Sequence, residues 1–350
     1  MSKACPSACS TAAAARGRPG VPGSTRPCVT ILLPYGNAST SLAITLETLL
    51  SQSFTDWEAL LIDTGARDDS AEVAAEYAAL DRRFRLLRVP QGRDIRNGFA
   101  AARDLGMRHA RGRLLAFGDP GALWMPEKLA LLVAAFDDIT LDGCYASGAH
   151  VATARPGAPL PASDLPPHPR PLPPEDLTIA RLLADNPVDR LSNLVLRTEV
   201  ALACGGFDSR LTHGDELEWL IRLVGQGNRL APLDRALVLY PRGHVAPGAA
   251  GEQAPDLAAI CAGRLAALVS AARYGRAASA RDEAVHLRRL ARRALRQGAP
   301  RRQALALALR GLLTSPAGWF ADRRGGALVL TSALAYLLLP QGLSRNLFAN

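Results

Sequence analysis

The stretch Leu114 to Leu129, LLAFGDPGALWMPEKL, decides the fold. Leu114-Leu115-Ala116-Phe117 is a short apolar run with the length of a buried strand. Gly118 breaks the run, and Asp119 follows where such a strand would end. Pro120 and Gly121 then force a turn. Beyond Trp124, Pro126-Glu127 opens an amphipathic helix with Pro in its first turn. A carboxylate at the carboxyl end of a central strand faces the crevice where open α/β sheets bind ligands. Asp is also a common turn residue, so the assignment needs the rest of the chain.

Upstream, Cys28 to Leu33 (CVTILL) reads as a first strand ending at Pro34, with Pro34-Tyr35-Gly36-Asn37 as a loop. Ser39 or Thr40 is placed to cap the next helix, whose buried face is Leu42, Thr45, Leu46, Leu49 and Leu50. A second strand, Ala59 to Ile62, closes at Asp63. A helix over Ser70–Ala79, a strand over Phe84–Val89, a loop over Pro90–Gly98 and a helix from Phe99 complete a β-α-β-α-β-α-β order. That order predicts a parallel, nucleotide-binding half. No G-x-G-x-x-G follows the first strand and no G-x-x-x-x-G-K-[ST] occurs, which argues against dinucleotide and P-loop folds.

Downstream, Ala152 to Pro174 is a Pro-rich surface loop. Asn193 to Arg197 is strand-like and leads to the turn Cys204-Gly205-Gly206-Phe207-Asp208. A helix follows, with Asp215 and Glu216 in its first turn, where the helix dipole favours acids, and Leu217, Leu220, Ile221 and Val224 facing inward. Asn228–Ala231 and Ala236–Tyr240 read as two more strands. From about Pro255 the chain is Ala-, Leu- and Arg-rich and helical.

In this order the segments resemble the family 2 glycosyltransferases, which have the GT-A fold. The matching letters are Pro34, Asn37, Gln52, Phe54, Trp57, Glu58, Asp63 and Gly65; then Arg103; then Asp119, Trp124 and Pro126-Glu127-Lys128; then Gly205-Gly206-Phe207-Asp208; then the helix 214–223, similar to the family's E-D-x-x-L-W-x-R-L with the acidic pair inverted as Asp215-Glu216. Three departures fall on the donor side. Gly36 stands where the family has Tyr, Thr64 where it has Asp, and Gly121 where the D-x-D motif has its second carboxylate.

The resemblance implies an α/β fold: a GT-A-type nucleotide-binding domain with a mostly parallel central sheet flanked by helices, plus a C-terminal helical region. Residues 1–27 would be a disordered tail, 28–250 the GT-A domain, and 251–350 a helical, basic region. It implies an inverting, hexosyltransferase-like enzyme that moves a sugar from a nucleotide-sugar donor to a hydroxyl of a glycan or lipid-linked acceptor, in cell-surface polysaccharide or glycoconjugate synthesis. Glu216, with Asp215 as the alternative, would be the base. Pro34, Asn37, Asp63, Arg103 and Asp119 would bind the donor. Asp119 and His244, which follows Tyr240 in a pattern close to the family's Y-R-x-H, would hold Mg²⁺ or Mn²⁺. A non-catalytic GT-A-like protein that binds a glycan or a partner transferase is the competing expectation.

Composition agrees with these partners. The formal net charge of +9 and pI near 9.7 favour anionic ligands. The chain carries no aromatic-interleaved basic strand or helix-turn-helix signature, so nucleic acid is not an expected partner. The six cysteines form no C-x-x-C pair, which fits reduced thiols in the cytoplasm. Met1 to Pro27 has no apolar core of a signal peptide. Arg288, Arg289, Arg292, Arg293, Arg296, Arg301 and Arg302 flank apolar stripes in the C-terminal region, and Ala327 to Leu339 is too short to span a bilayer. These features predict a peripheral contact with an anionic membrane surface on its inner face.

Overall fold

Every residue of Val29–Tyr35 is buried, the pattern of a strand covered on both faces. This strand, β1, lies at the centre of the computed structural model, which describes residues 26–90, 98–151, 171–184, 186–241, 257–296 and 300–338. It is followed by α1 (Ser39–Leu50), β2 (Trp57–Asp63), α2 (Ser70–Leu80), β3 (Phe84–Arg88), α3 (Gly98–His109) and β4 (Leu114–Phe117). A turn then leads to β5 (Leu123–Trp124), α4 (Lys128–Ala135) and β6 (Gly143–Val151). Next come α5 (Ile179–Ala184), a 3-10 turn at Leu191–Asn193, β7 (Leu194–Arg197), α6 (Thr198–Cys204), α7 (Asp215–Gly225) and β8 (Leu230–Pro241). The chain ends in α8 (Leu257–Arg273), α9 (Ala280–Arg296), α10 (Arg301–Thr314), α11 (Pro316–Trp319) and α12 (Arg323–Leu338).

The strands form one sheet in the order β3-β2-β1-β4-β7-β6-β8-β5. The first four are parallel. β7 runs antiparallel between β4 and β6, β8 is parallel to β6, and β5 is antiparallel on β8. The sheet is thus mostly parallel, as the sequence predicts. Period-two alternation splits the core between its faces. Ile31, Leu33, Ala59, Leu61 and Ala116 belong to one cluster with residues of α1 and α4. Leu32, Leu60, Ile62, Leu115 and Phe117 belong to the other, with Trp219, Leu220 and Leu223 of α7. Each fully buried Leu or Ile contributes about 1.5–3 kcal/mol relative to exposure.

Several local expectations change. β1 runs on through Pro34 and Tyr35. Leu32 accepts Gly118 N on the β4 side, and residue 34 would donate on that same side. The pairing of β1 with β4 stops at Leu32 and Phe117, so a residue without N–H breaks no ladder there. Neither Ser39 nor Thr40 caps α1. Instead Ser70 Oγ accepts Ala38 N and Asp68 accepts Ser39 N, so the start of α1 is tied to the loop before α2. Leu50 lies on the outer side of α1. The inner face of α7 is Trp219, Leu220, Ile221 and Leu223, with Leu217 and Val224 only half-buried. The two strands expected over 228–240 are one, β8, with an irregular register opposite Ser147.

The proposed boundary near 250 lies outside the described residues, as do residues 1–25 of the expected tail and most of the loop Ala152–Pro174. Packing crosses that boundary: Ala267 and Ala271 of α8 sit in the same core as α7. Arg264 of α8 donates to Leu183 O and pairs with Glu283 at 2.7 Å, joining α5, α8 and α9. A separate small core in α9–α12 surrounds the buried Trp319, whose Nε1 donates to Gly326 O. Val329, Ala333 and Tyr336 point into it, so part of the apolar stretch 327–339 is turned inward.

Candidate functional site

Arginine is seldom fully buried unless paired, yet Arg103 of α3 is 2% exposed. Its guanidinium is held by three acids from two other elements. Nη1 lies 3.2 Å from Asp215 Oδ2, and Nη2 lies 2.5 Å from Glu216 Oε1 and 4.0 Å from Asp119 Oδ1. Asp215 and Glu216 open α7, and Asp119 sits just past the carboxyl end of β4. Four residues singled out in the sequence therefore converge on one point. Phe207 of the Gly-Gly-Phe-Asp turn stacks on Trp219 at 4.8 Å and lies under the Arg103 guanidinium at 5.5 Å. The position of α7 is fixed from behind by α8. A Cβ on Gly263 would collide with His213 O and Gly214, and Ser270 Oγ donates to Glu218.

Asp119 is oriented on its other side by a hydroxyl chain. Ser192 Oγ donates to Asp119 Oδ2 at 2.8 Å and lies 2.7 Å from Tyr240 Oη. The turn after Asp119 is clamped by Thr45 of α1, whose Oγ1 accepts Gly121 N at 2.7 Å. Gly121 has φ 89°, a conformation that favours glycine. The missing carboxylate of the motif thus sits at a position whose backbone disfavours a side chain.

The other donor-side residues lie at the ends of β1 and β2 and take part in loop hydrogen bonds. Asp63 Oδ1 accepts Gly65 N and Ala66 N, and its Oδ2 is 3.4 Å from Arg88 Nε. Asn37 Oδ1 accepts Arg67 N, and Pro34 is buried opposite Ile62. The departures at 36 and 64 face each other. Thr64 Oγ1 donates to Tyr35 O, and a Cβ on Gly36 would lie 3.3 Å from that hydroxyl.

Burial raises the pKa of Glu216 most. Arg103 opposes the rise, Asp119 and Asp215 add to it, Arg190 opposes it, and the balance is about 7. Asp215 is also raised, by burial against the pull of Arg103. The two acids differ in access: the Glu216 side chain is 31% exposed and that of Asp215 9%. Glu216 is therefore the member of the acid pair that reaches solvent.

Ser192 and Arg190 were not singled out from the sequence, since they lie in turn patterns that carry no chemical signal. Tyr240 was read only as the start of the His244 pattern. Lys128 was read only as part of Pro-Glu-Lys, yet it is fully buried, with its ammonium 3.0 Å from the centre of the Trp124 ring. Burial pushes its pKa well down, and Asp119 opposes that shift.

A divalent cation does not fit the described residues. Asp119 offers one carboxylate, already engaged by Ser192 and facing Arg103, and Gly121 and Ala122 bring no side-chain oxygen. Among the described residues no three His, Cys, Asp or Glu side chains are disposed to hold a metal. Mg²⁺ asks for six oxygens in near-octahedral array. The second expected ligand, His244, lies outside the described residues.

Residues 30–167 match the family model described as glycosyl transferase family 2. The chain is 28% identical over 104 residues to the putative teichuronic acid biosynthesis glycosyltransferase TuaG of Bacillus subtilis, covering 30% of this chain and 40% of that protein. It is 29% identical over 105 residues to the UDP-Glc:alpha-D-GlcNAc-diphosphoundecaprenol beta-1,3-glucosyltransferase WfgD of Escherichia coli, covering 30% and 39%. The chain thus spans about two fifths of the length of these curated relatives. Among solved structures it is similar to S. aureus TarS 1-349 in complex with UDP-GlcNAc, with TM-score 0.56, 15% identity, and coverage of 87% of this chain and 90% of that one. That likeness shows the GT-A fold, a mixed α/β sheet with flanking helices and a helical C-terminal region.

Proposed function

We propose that this chain, a family 2 glycosyltransferase over residues 30–167, transfers a sugar from a nucleotide-sugar donor to a hydroxyl acceptor with inversion at the anomeric carbon. The observation that carries the reading is the Arg103 cluster, which presents Glu216 with an accessible edge and a pKa of about 7. A base poised near the working pH combines an ionised population with a useful proton affinity. Glu216 takes the proton of the attacking hydroxyl. The hydroxyl oxygen bonds to the anomeric carbon, and the bond to the diphosphate breaks with its electron pair on the phosphate oxygen. Arg103 holds Glu216 and Asp215 in place, and Asp119 faces the donor. The acceptor fits a glycan or a lipid-linked glycan, as the names of TuaG and WfgD suggest for those proteins. Transfer assays across a panel of nucleotide sugars and acceptors, scored by product anomer, test the reading. Glu216, whose pKa is raised to about 7 by burial, supports catalysis over the non-catalytic alternative, which asks for no tuned base.

The pH dependence follows from the direction of the shift. Below about pH 7 Glu216 holds a proton and cannot accept another, so kcat/KM should rise with pH through about 7 and level above it. A rate that is flat from about pH 5.5 to 8 would exclude Glu216 as base.

Membrane contact belongs to the same proposal. Residues 251–350 hold 15 Arg and 5 acidic residues, while the rest holds 26 basic and 27 acidic, so the net positive charge lies in the helical region. No helix among the described residues is long and apolar enough to cross a membrane. Leu313 on α10 and Leu328 on α12 are 83% and 61% exposed and share their helices with exposed Arg310, Arg323 and Arg324. The full chain should float with anionic vesicles, less so at high salt, and the double substitution Leu313→Glu, Leu328→Glu should reduce recovery. Equal recovery of both proteins would remove this surface from the account.

A further inference from the structure

The donor's diphosphate carries the negative charge of the leaving group, and something positive must meet it. Among the described residues the cations near the crevice are mostly committed. Arg103 is taken by three acids. Arg88 is 70% exposed and lies beside Asp63. Lys128 is sealed over the Trp124 ring.

Arg190 differs. It stands between α5 and β7, one residue before the 3-10 turn that carries Ser192. The loop that presents it is specifically built. Asp189 adopts φ 62°, a left-handed conformation that non-glycine residues adopt at a cost, often at ligand sites. Asn186 holds that loop from both sides, accepting Val188 N and donating to Asp189 O. The guanidinium carbon of Arg190 lies 4.5 Å from the centre of the Tyr240 ring. Tyr240 in turn bonds Ser192, and Ser192 bonds Asp119. The charge of Arg190 is felt at Glu216. Its Nη1 is buried and has no hydrogen-bond partner among the described residues. An unsatisfied buried donor is costly to retain, more so when it is charged, and no acceptor among the described residues meets it.

We propose that Arg190 is a donor-binding residue that takes the diphosphate of the nucleotide sugar and supplies the positive charge at the leaving group, in place of a cation held by a carboxylate pair. This rests on the glycosyltransferase reading above. The planar fork of guanidinium matches phosphate oxygens bidentately, and the Tyr240 ring beneath it fixes its plane. In the transfer step the acceptor oxygen bonds to the anomeric carbon as the bond to the diphosphate oxygen breaks. The electron pair goes to the phosphate oxygen beside Arg190, and the hydroxyl proton goes to Glu216. The nucleoside diphosphate leaves with no other co-reactant. The departures at 36, 64 and 121 then belong to a donor site rebuilt around a side-chain cation.

The test is calorimetry on the full chain with UDP, GDP, ADP and dTDP and their nucleosides, in EDTA and in Mn²⁺. The wild type should bind one diphosphate in EDTA. Arg190→Gln should weaken that binding about tenfold or more while leaving the matching nucleoside unchanged. Arg190→Lys should recover part of the loss, since a point charge replaces a fork. Removing an unpartnered buried nitrogen should not lower the melting temperature, which keeps a folding defect distinguishable. Binding that requires Mn²⁺ and is equal in wild type and Arg190→Gln overturns the role of Arg190 and leaves the transferase reading intact. Failure of the wild type to bind any of the four diphosphates in either condition overturns both.

Discussion

Glu216→Gln is expected to bind nucleotide as the wild type does and to lose transfer by about 100- to 10,000-fold, the range of a general-base contribution. The amide is close in size to the carboxylate and can still face the Arg103 guanidinium, 2.5 Å away in the wild type, through its carbonyl oxygen. It cannot take a proton. Because Glu216 reaches solvent and Asp215 is 9% exposed beside Arg103, Asp215→Asn should act mainly by loosening the cluster and cost less. Initial rates and nucleotide affinity measured on the same preparations separate the two effects. Full transfer by Glu216→Gln would place the base elsewhere.

The second large effect belongs to Arg103→Met. Truncating one partner of a buried ionic cluster leaves the others uncompensated and costs about 3–5 kcal/mol. Here three acids are left facing one another, and the pull of Arg103 that holds down Asp215 and Glu216 is lost. The sign with pH follows. Burial already raises both folded-state pKa values, and without Arg103 they move further up. Each acid then costs stability as pH rises from its unfolded value through its folded value. The deficit of the variant relative to wild type should therefore be small near pH 5 and largest near pH 8, about 3–5 kcal/mol at the upper end. Denaturant midpoints at the two pH values measure it. A variant within about 0.5 kcal/mol of wild type at pH 8 would mean the cluster carries no structural charge balance.

The parallel half of the fold was legible because its strands are continuous apolar runs, as in Cys28 to Leu33 and Leu114 to Phe117, and its helices start at polar breaks. β6 was not legible. GCYASGAHV has neither a β-branched run nor a clean alternation, because Gly143 packs on Leu230 and Gly148 on the Tyr240 ring, where a side chain would not fit. Helix α6 is short and shares its residues with the approach to the Gly-Gly-Phe-Asp turn. In the site, Arg103, Asp119, Asp215 and Glu216 were legible by their place in family motifs, and the structure brings them together. Pro34, Asn37 and Asp63 were legible as positions, though two of them spend their side chains on loop hydrogen bonds. The relation of Arg190, Ser192 and Tyr240 to Asp119 was not, since it exists only after β7 and β8 have joined the sheet. Of the expected metal pair, Asp119 is engaged by Ser192 and faces Arg103, and His244 lies outside the described residues.

The seat of α8 against the loop before α7 has a consequence for the order in which the Arg103 cluster comes into being. Proteins begin to fold from the amino terminus as they are synthesised. Arg103 and Asp119 leave the ribosome early, and the acid pair much later. Even then the loop that aims the acid pair lacks the backing of Gly263, and Glu218 lacks the hydroxyl of Ser270. A nascent chain that has released every recognisable motif still carries Glu216 on a helix whose outer side is bare. The helical region is therefore more than an appendage: its first helix completes the seat of the acid pair, and the Arg103 cluster matures only when that helix has been delivered.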